Sequence, residues 1–205
     1  QGLVENRFRQ LKPEDLSGIL RRGGTILGSN NRANPSKFVV GKNPDGTPKF
    51  KDLTEDCLRH LQSRKIEAMV IIGGDGTMTS AAWFAKQGIA VVGVPKTIDN
   101  DIMGSEITFG FQTAVDTATD ALDKVRTTAD SHHRVMVVEV MGRNAGWIAL
   151  HSGIASGSDI ILIPEIPFSM KTLAGVVHER DVECVGVEQP ARAPAPLGIE
   201  RGVGD

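Results

Sequence analysis

Four short aliphatic runs, at residues 68–72, 89–94, 135–140 and 159–163, constrain the fold of this chain more than any other feature. They are rich in Val and Ile and nearly continuous in hydrophobicity, the pattern of strands buried on both faces in parallel sheets. Helical signals lie between them. Leu58 and Leu61 share one face after Thr54, a candidate N-cap. Ala114, Val115, Ala118, Ala121, Leu122 and Val125 recur at helical spacing, with acids and a lysine between. Residues 79–87 are Ala-rich and stop at Gly88, a candidate C-cap. Strand alternating with helix predicts an α/β fold: a largely parallel sheet flanked by helices, three layers in a Rossmann-like arrangement. In such sheets ligands collect at the carboxyl ends of the strands.

Composition narrows the function classes. Of 205 residues, 40% are hydrophobic but only 4% aromatic, so the apolar content is mainly aliphatic and suits sheets under helices. The net charge of -2 comes without a dense Lys/Arg block, which argues against nucleic acid or an anionic membrane as the main partner. Cys57 and Cys184 lie far apart without metal-like spacing and read as reduced thiols of a cytoplasmic protein. The polar N-terminus carries no secretory signal, and its lack of an initiator Met suggests a start inside a longer protein. Residues 1–181 read as one partial α/β domain. From residue 182 onward the chain is rich in Pro, Ala and Gly, and three of its ten prolines fall between Pro190 and Pro196, so residues 182–205 read as a loosely ordered tail.

The chemistry-bearing residues follow the aliphatic runs. Directly after the first comes Gly73-Gly74-Asp75-Gly76-Thr77, then a helix. Glycines at such a turn let the backbone approach a phosphate, the helix N-terminus offers N–H donors, and Asp75 can hold Mg2+ beside the phosphates. A plain tight turn with a capping Asp uses the same residues. No Gly-Lys-Ser/Thr follows, so this is not a Walker A loop. The second run ends in Pro95-Lys96-Thr97-Ile98-Asp99-Asn100-Asp101. A carboxylate there can accept a proton from an attacking sugar hydroxyl, and a second can orient that hydroxyl; an Asx-rich capping loop is the plainer alternative. Arg134 precedes the third run, and Met141-Gly142-Arg143 follows it. Guanidinium forks bind phosphate bidentately. His132 and His133 read as surface-loop residues, and Arg32 lies in a Gly-rich loop over residues 23–32.

Gly-Gly-Asp-Gly-Thr, then Pro-Lys-Thr-Ile-Asp-Asn-Asp, then Val-Glu-Val-Met-Gly-Arg resembles the 6-phosphofructokinase family in motif, order and separation, over residues 2–168. The first loop also occurs in NAD and lipid kinases, whereas the other two are far more specific. The resemblance implies transfer of a phosphoryl group to the 1-hydroxyl of fructose 6-phosphate. Asp99 is then the base, with Thr97, Ile98 and Asp101 beside the sugar. Met141, Gly142 and Arg143 contact the same substrate, and Arg134 reaches its phosphate, often across a subunit boundary in a homo-oligomer. Asp75 holds Mg2+, Gly74, Gly76 and Thr77 line the donor phosphates, and Arg32 stabilises charge on the group in flight. Gly76 leaves room for the α-phosphate of ATP, where pyrophosphate-using members usually carry Asp; Lys96 points toward pyrophosphate. Members also carry a strand and donor loop ahead of this region and a substrate half beyond it, so the chain reads as an interrupted or truncated member.

Overall fold

The computed structural model describes residues 1–30, 33–179 and 184–187. In chain order the helices and strands are α1 (Pro13–Leu16), β1 (Phe38–Lys42), β2 (Pro48–Lys51), α2 (Thr54–Ser63), β3 (Ala68–Gly73), α3 (Asp75–Lys86), β4 (Ala90–Thr97), β5 (Phe109–Gly110), α4 (Phe111–His132), β6 (Val137–Val140), α5 (Trp147–Ser156), β7 (Ile160–Leu162), α6 (Met170–Glu179) and β8 (Cys184–Val187). They form two compact units. The first comprises Gln1–Ile72 with Gly76–Gly93, and the second Gly73–Asp75 with the chain from Val94 onward.

In the first unit, α2 and α3 cover one face of the β3–β4 pair. Cys57, Leu61 and Phe84 are buried together, with Met69, Ile71 and Val91 of the strands packed against them. Burial leaves Cys57 as a free thiol and pushes its pKa up. Thr54 is the first helical residue of α2 rather than its cap. Asp52 Oδ1 instead accepts from both the Thr54 N–H and its hydroxyl, at 2.9 and 2.6 Å, and so satisfies an otherwise orphaned donor of the first turn. Helix α3 begins directly at Asp75 and ends before Gly88, whose φ of +86° suits glycine. Helix and strand are in close contact where α3 crosses β4: a Cβ at Gly93 would lie 2.9 Å from Met78 Sδ.

The unbroken hydrophobicity of the strands predicts burial on both faces, and the structure departs from that. Val70 and Ile72 of β3 and Val92 of β4 are 67%, 60% and 62% exposed. Alternation along a pleated strand sends these side chains to the face opposite Met69, Ile71 and Val91, and no layer among the described residues covers it. An antiparallel hairpin, β1–β2, was not anticipated. Its turn, Asn43-Pro44-Asp45-Gly46, is a strong hairpin signal, with Gly46 at φ +83° and Asp45 accepting from Thr47.

The second unit is organised by α4 and α5. Phe111, Val115, Leu122 and Ala129 form the buried stripe of α4. Phe111 and Val115 pack with Ile148 of α5, and Leu122 packs with Ala149. Complete burial of Leu122 contributes roughly 1.5–3 kcal/mol. Against this layer lies a parallel sheet in the order β6-β8-β7, with Val138 opposite Val185 and Ile161 opposite Val185. Its central strand falls inside the segment expected to be a loose tail. Cys184–Val187 is a short Val/Gly run that the following prolines obscured, and the remainder of 182–205 lies outside the described residues. Strand β4 carries on into this unit, where Lys96 and Thr97 pair in parallel with Phe109 and Gly110 of β5.

Candidate active site

The three motif loops follow strands β3, β4 and β6. The turn after β3 places Gly74 against the end of β4, where a Cβ would sit 3.9 Å from the Lys96 carbonyl oxygen and 4.0 Å from Thr97 Cβ. Bare backbone at Gly74 therefore lies alongside Thr97. Asp75 opens the twelve-residue helix α3, exposed, where the aligned N–H dipoles favour negative charge. Gly76 and Thr77 are the next two residues of α3, both exposed, and belong to the first unit.

The turn after β4 is the most heavily hydrogen-bonded part of the site. Thr97 Oγ1 accepts from the Asp99 N–H at 3.2 Å. Asn100 has φ +54°, a left-handed conformation that asparagine adopts more readily than most residues. Its Oδ1 accepts from the Thr108 N–H at 2.9 Å, and its Nδ2 donates to the Glu106 carbonyl at 3.3 Å. The Thr108 hydroxyl, buried to 2% exposure, donates to the Thr97 carbonyl at 2.8 Å. Asp99 is half-buried and Asp101 exposed. Burial pushes the Asp99 carboxyl above the usual aspartate range, the like charge of Asp101 adds to this, and the Arg143 guanidinium opposes both.

Arg143 comes from the turn after β6. Gly142 is buried at φ +144°, Arg143 is exposed at φ +55°, and the Ala145 N–H closes the turn onto the Gly142 carbonyl at 2.9 Å. The turn leads into α5, where the Gly146 N–H donates to Glu165 Oε1 at 2.8 Å. A Cβ at Gly146 would lie 2.5 Å from Ile163 Cβ and 2.6 Å from Glu165 Oε2, so this position excludes a side chain. Ile98 and Met141 line one groove of about 530 Å3 with Gly110, Ala114, Val140 and Ile148.

The structure thus brings together Gly74, Thr97, Ile98, Asp99, Asp101, Met141, Gly142 and Arg143 within the second unit. Arg134 is exposed at the opposite end of β6 from Arg143. Arg32 lies outside the described residues. Sequence reasoning missed Thr108 and Glu165, which touch the turns from outside the motifs; no local pattern marks either.

The phosphofructokinase family profile matches residues 1–188. The chain belongs to the phosphofructokinase family. The match extends through β8, past the point where the motifs stop. "ATP-dependent 6-phosphofructokinase 2" of Clostridium perfringens is 50% identical over 181 residues, 88% of this chain and 49% of that protein. "ATP-dependent 6-phosphofructokinase 3" of Bacteroides thetaiotaomicron is 47% identical over 88% of this chain and 52% of its own length. Among solved structures, phosphofructokinase from Saccharomyces cerevisiae superposes with a TM-score of 0.73 at 28% identity, over 91% of this chain and 28% of that one. The chain spans about half the length of the curated relatives it matches. No helix among the described residues is long and apolar enough to cross a membrane.

Proposed function

We propose that this chain carries the core of a 6-phosphofructokinase that transfers the terminal phosphoryl group of ATP to the 1-hydroxyl of fructose 6-phosphate, giving fructose 1,6-bisphosphate in glycolysis. One observation carries the reading: a half-buried Asp99 whose carboxyl feels Asp101 beside it and Arg143 from the next turn. That is the layout expected of a base next to an anionic substrate. Asp99 takes the proton of the 1-hydroxyl as that oxygen attacks phosphorus; the new O–P bond forms while the bond to the leaving ADP oxygen breaks. Thr97 and Asp101 orient the sugar, with Ile98, Met141 and Gly142 shaping its pocket. Arg143 binds its anionic end, and Arg134, at the far end of β6, serves a neighbouring protomer's site in the complete homo-oligomer. Gly74, Gly76 and Thr77 line the donor phosphates, and Arg32 meets the group in flight.

The residues fit magnesium. Among the described residues no three metal-ligating side chains cluster, and Mg2+ takes one or two carboxylates, with water and phosphate oxygens completing its octahedron. Asp75 is the carboxylate that would hold it, at an exposed position by the donor turn. When bound, the ion neutralises phosphate charge. The enzyme so described works in the cytoplasm.

Gly76 supports ATP as donor, and exposed Lys96 at the end of β4 favours pyrophosphate as the second reading. The test offers fructose 6-phosphate and Mg2+ to the purified chain with each donor separately. Turnover with ATP supports the proposal, and turnover with pyrophosphate alone reverses the donor assignment. Sugar-phosphate binding without turnover makes the chain a ligand-binding part of a larger catalyst.

A further inference from the structure

The turn that carries Asp99 is held by a residue outside every motif. Thr108 lies just ahead of β5, is 2% exposed, and uses three of its polar groups on this region. Its hydroxyl donates to the Thr97 carbonyl at 2.8 Å, which fixes the turn where it leaves β4. Its N–H donates to Asn100 Oδ1 at 2.9 Å, which fixes the turn immediately after Asp99. Its carbonyl accepts from the Phe111 N–H at 3.2 Å, which ties the same residue to the start of α4. Asp99 is thus bracketed on both sides by one buried side chain and its backbone. The next two residues extend the brace, because Phe109 and Gly110 pair with Lys96 and Thr97. At Gly110, packed beside the Thr97 carbonyl, φ is +109°, so a larger residue would strain the backbone there.

We propose that Thr108 is a positioning residue for phosphoryl transfer, whose buried hydroxyl and amide hold the 97–101 turn so that Asp99 meets the acceptor hydroxyl. The inference rests on the assignment of Asp99 as the base. Phosphoryl transfer leaves little covalent work to the protein, so rate depends on placement. Valine matches threonine in shape but removes the donor, which frees the Thr97 carbonyl from its buried partner while the packing stays filled. Serine keeps the hydroxyl and loses only a methyl group.

The experiment compares the parent chain with Thr108→Val and Thr108→Ser by two readouts. The first is steady-state transfer with ATP, Mg2+ and fructose 6-phosphate. The second is amide hydrogen exchange at Asp99 against core amides such as that of Leu122. The expected result for Thr108→Val is a kcat lower by about tenfold to a hundredfold, as for a small misplacement of a reacting group. KM for the sugar phosphate is little changed, exchange at Asp99 is faster while that at Leu122 is not, and Thr108→Ser restores both readouts. Unchanged kcat and unchanged Asp99 exchange in the valine variant overturn the inference. So does equal acceleration at Asp99 and Leu122, which marks general loss of stability. If the parent itself transfers nothing, the turnover reading of this chain fails; exchange alone then decides, and an unaccelerated Asp99 amide in Thr108→Val still refutes the brace.

Discussion

The turns after β4 and β6 both carry motif residues and are held by opposite means. The β4 turn presents a carboxylate and is braced by neutral groups, the Thr108 hydroxyl and the Asn100 amide, in a buried setting. The β6 turn presents a guanidinium, and its exit is held by a carboxylate, Glu165, on the Gly146 N–H. The difference follows from what each turn must keep. A charged brace beside Asp99 would shift the carboxyl it supports, whereas neutral hydrogen bonds fix geometry and leave the proton affinity to burial, Asp101 and Arg143. At the β6 turn the brace sits at the N-terminus of α5, where a carboxylate is favoured by the helix dipole.

The largest expected effect tests the division of labour itself. Asp99→Ser should lower transfer by roughly 10²–10⁴-fold, the range of general base catalysis, while calorimetric binding of fructose 6-phosphate is largely kept. Arg143→Ala should show the reverse emphasis, with binding weakened first. Retained turnover in Asp99→Ser would remove the base assignment, and with it the contrast between the two turns.

Gly146→Ala comes next. Its methyl group would be forced against Ile163 and Glu165, and overpacking of this kind costs about 1–3 kcal/mol, read as a lower denaturation midpoint. Glu165→Ala should cost about 1.5–3 kcal/mol by loss of the carboxylate's hydrogen bond with the Gly146 N–H. Glu165→Gln, which keeps an acceptor oxygen, should cost less. Equal losses in the two Glu165 variants would show that the hydrogen bond to Gly146 is not what holds the β6 turn.

The smallest effect is a displacement along the pH axis. The folded chain holds the Asp99 proton more tightly than the unfolded chain does, so between the ordinary and raised pKa the native state binds more protons. Stability from this group is therefore greatest on the acid side and is lost as pH rises through the folded pKa. Under the proposed function transfer runs the other way, since Asp99 must be ionised to accept a proton. Asp101→Asn removes a like charge and should move the acid limb of the rate profile to lower pH. A limb that stays in place would mean that Asp101 does not set the proton affinity of Asp99.

Much of this was legible in the sequence because it is local. The four aliphatic runs became β3, β4, β6 and β7, and the motifs after the first three lie in the turns that leave those strands. The braces were not legible. Thr108 and Glu165 act across intervening chain, and nothing in their neighbours distinguishes them from ordinary polar residues. The same limit explains β8, whose four residues belong in a sheet only because β6 and β7 lie on either side. Outward-facing Val70, Ile72 and Val92 show the converse: strand hydrophobicity predicts a covering layer without saying which stretch of protein supplies it.

Strand order also carries a consequence for biosynthesis. Because β8 is wedged between β6 and β7, those two strands have no ladder to each other, and each waits for backbone made after both of them. On a ribosome, the segment bearing Arg143 would emerge with α4 and α5 able to pack first, while its sheet stays open until residue 187 clears the exit tunnel. During that interval the edges of β6 and β7 are available to any other extended chain, and it is β8, made after both, that closes them.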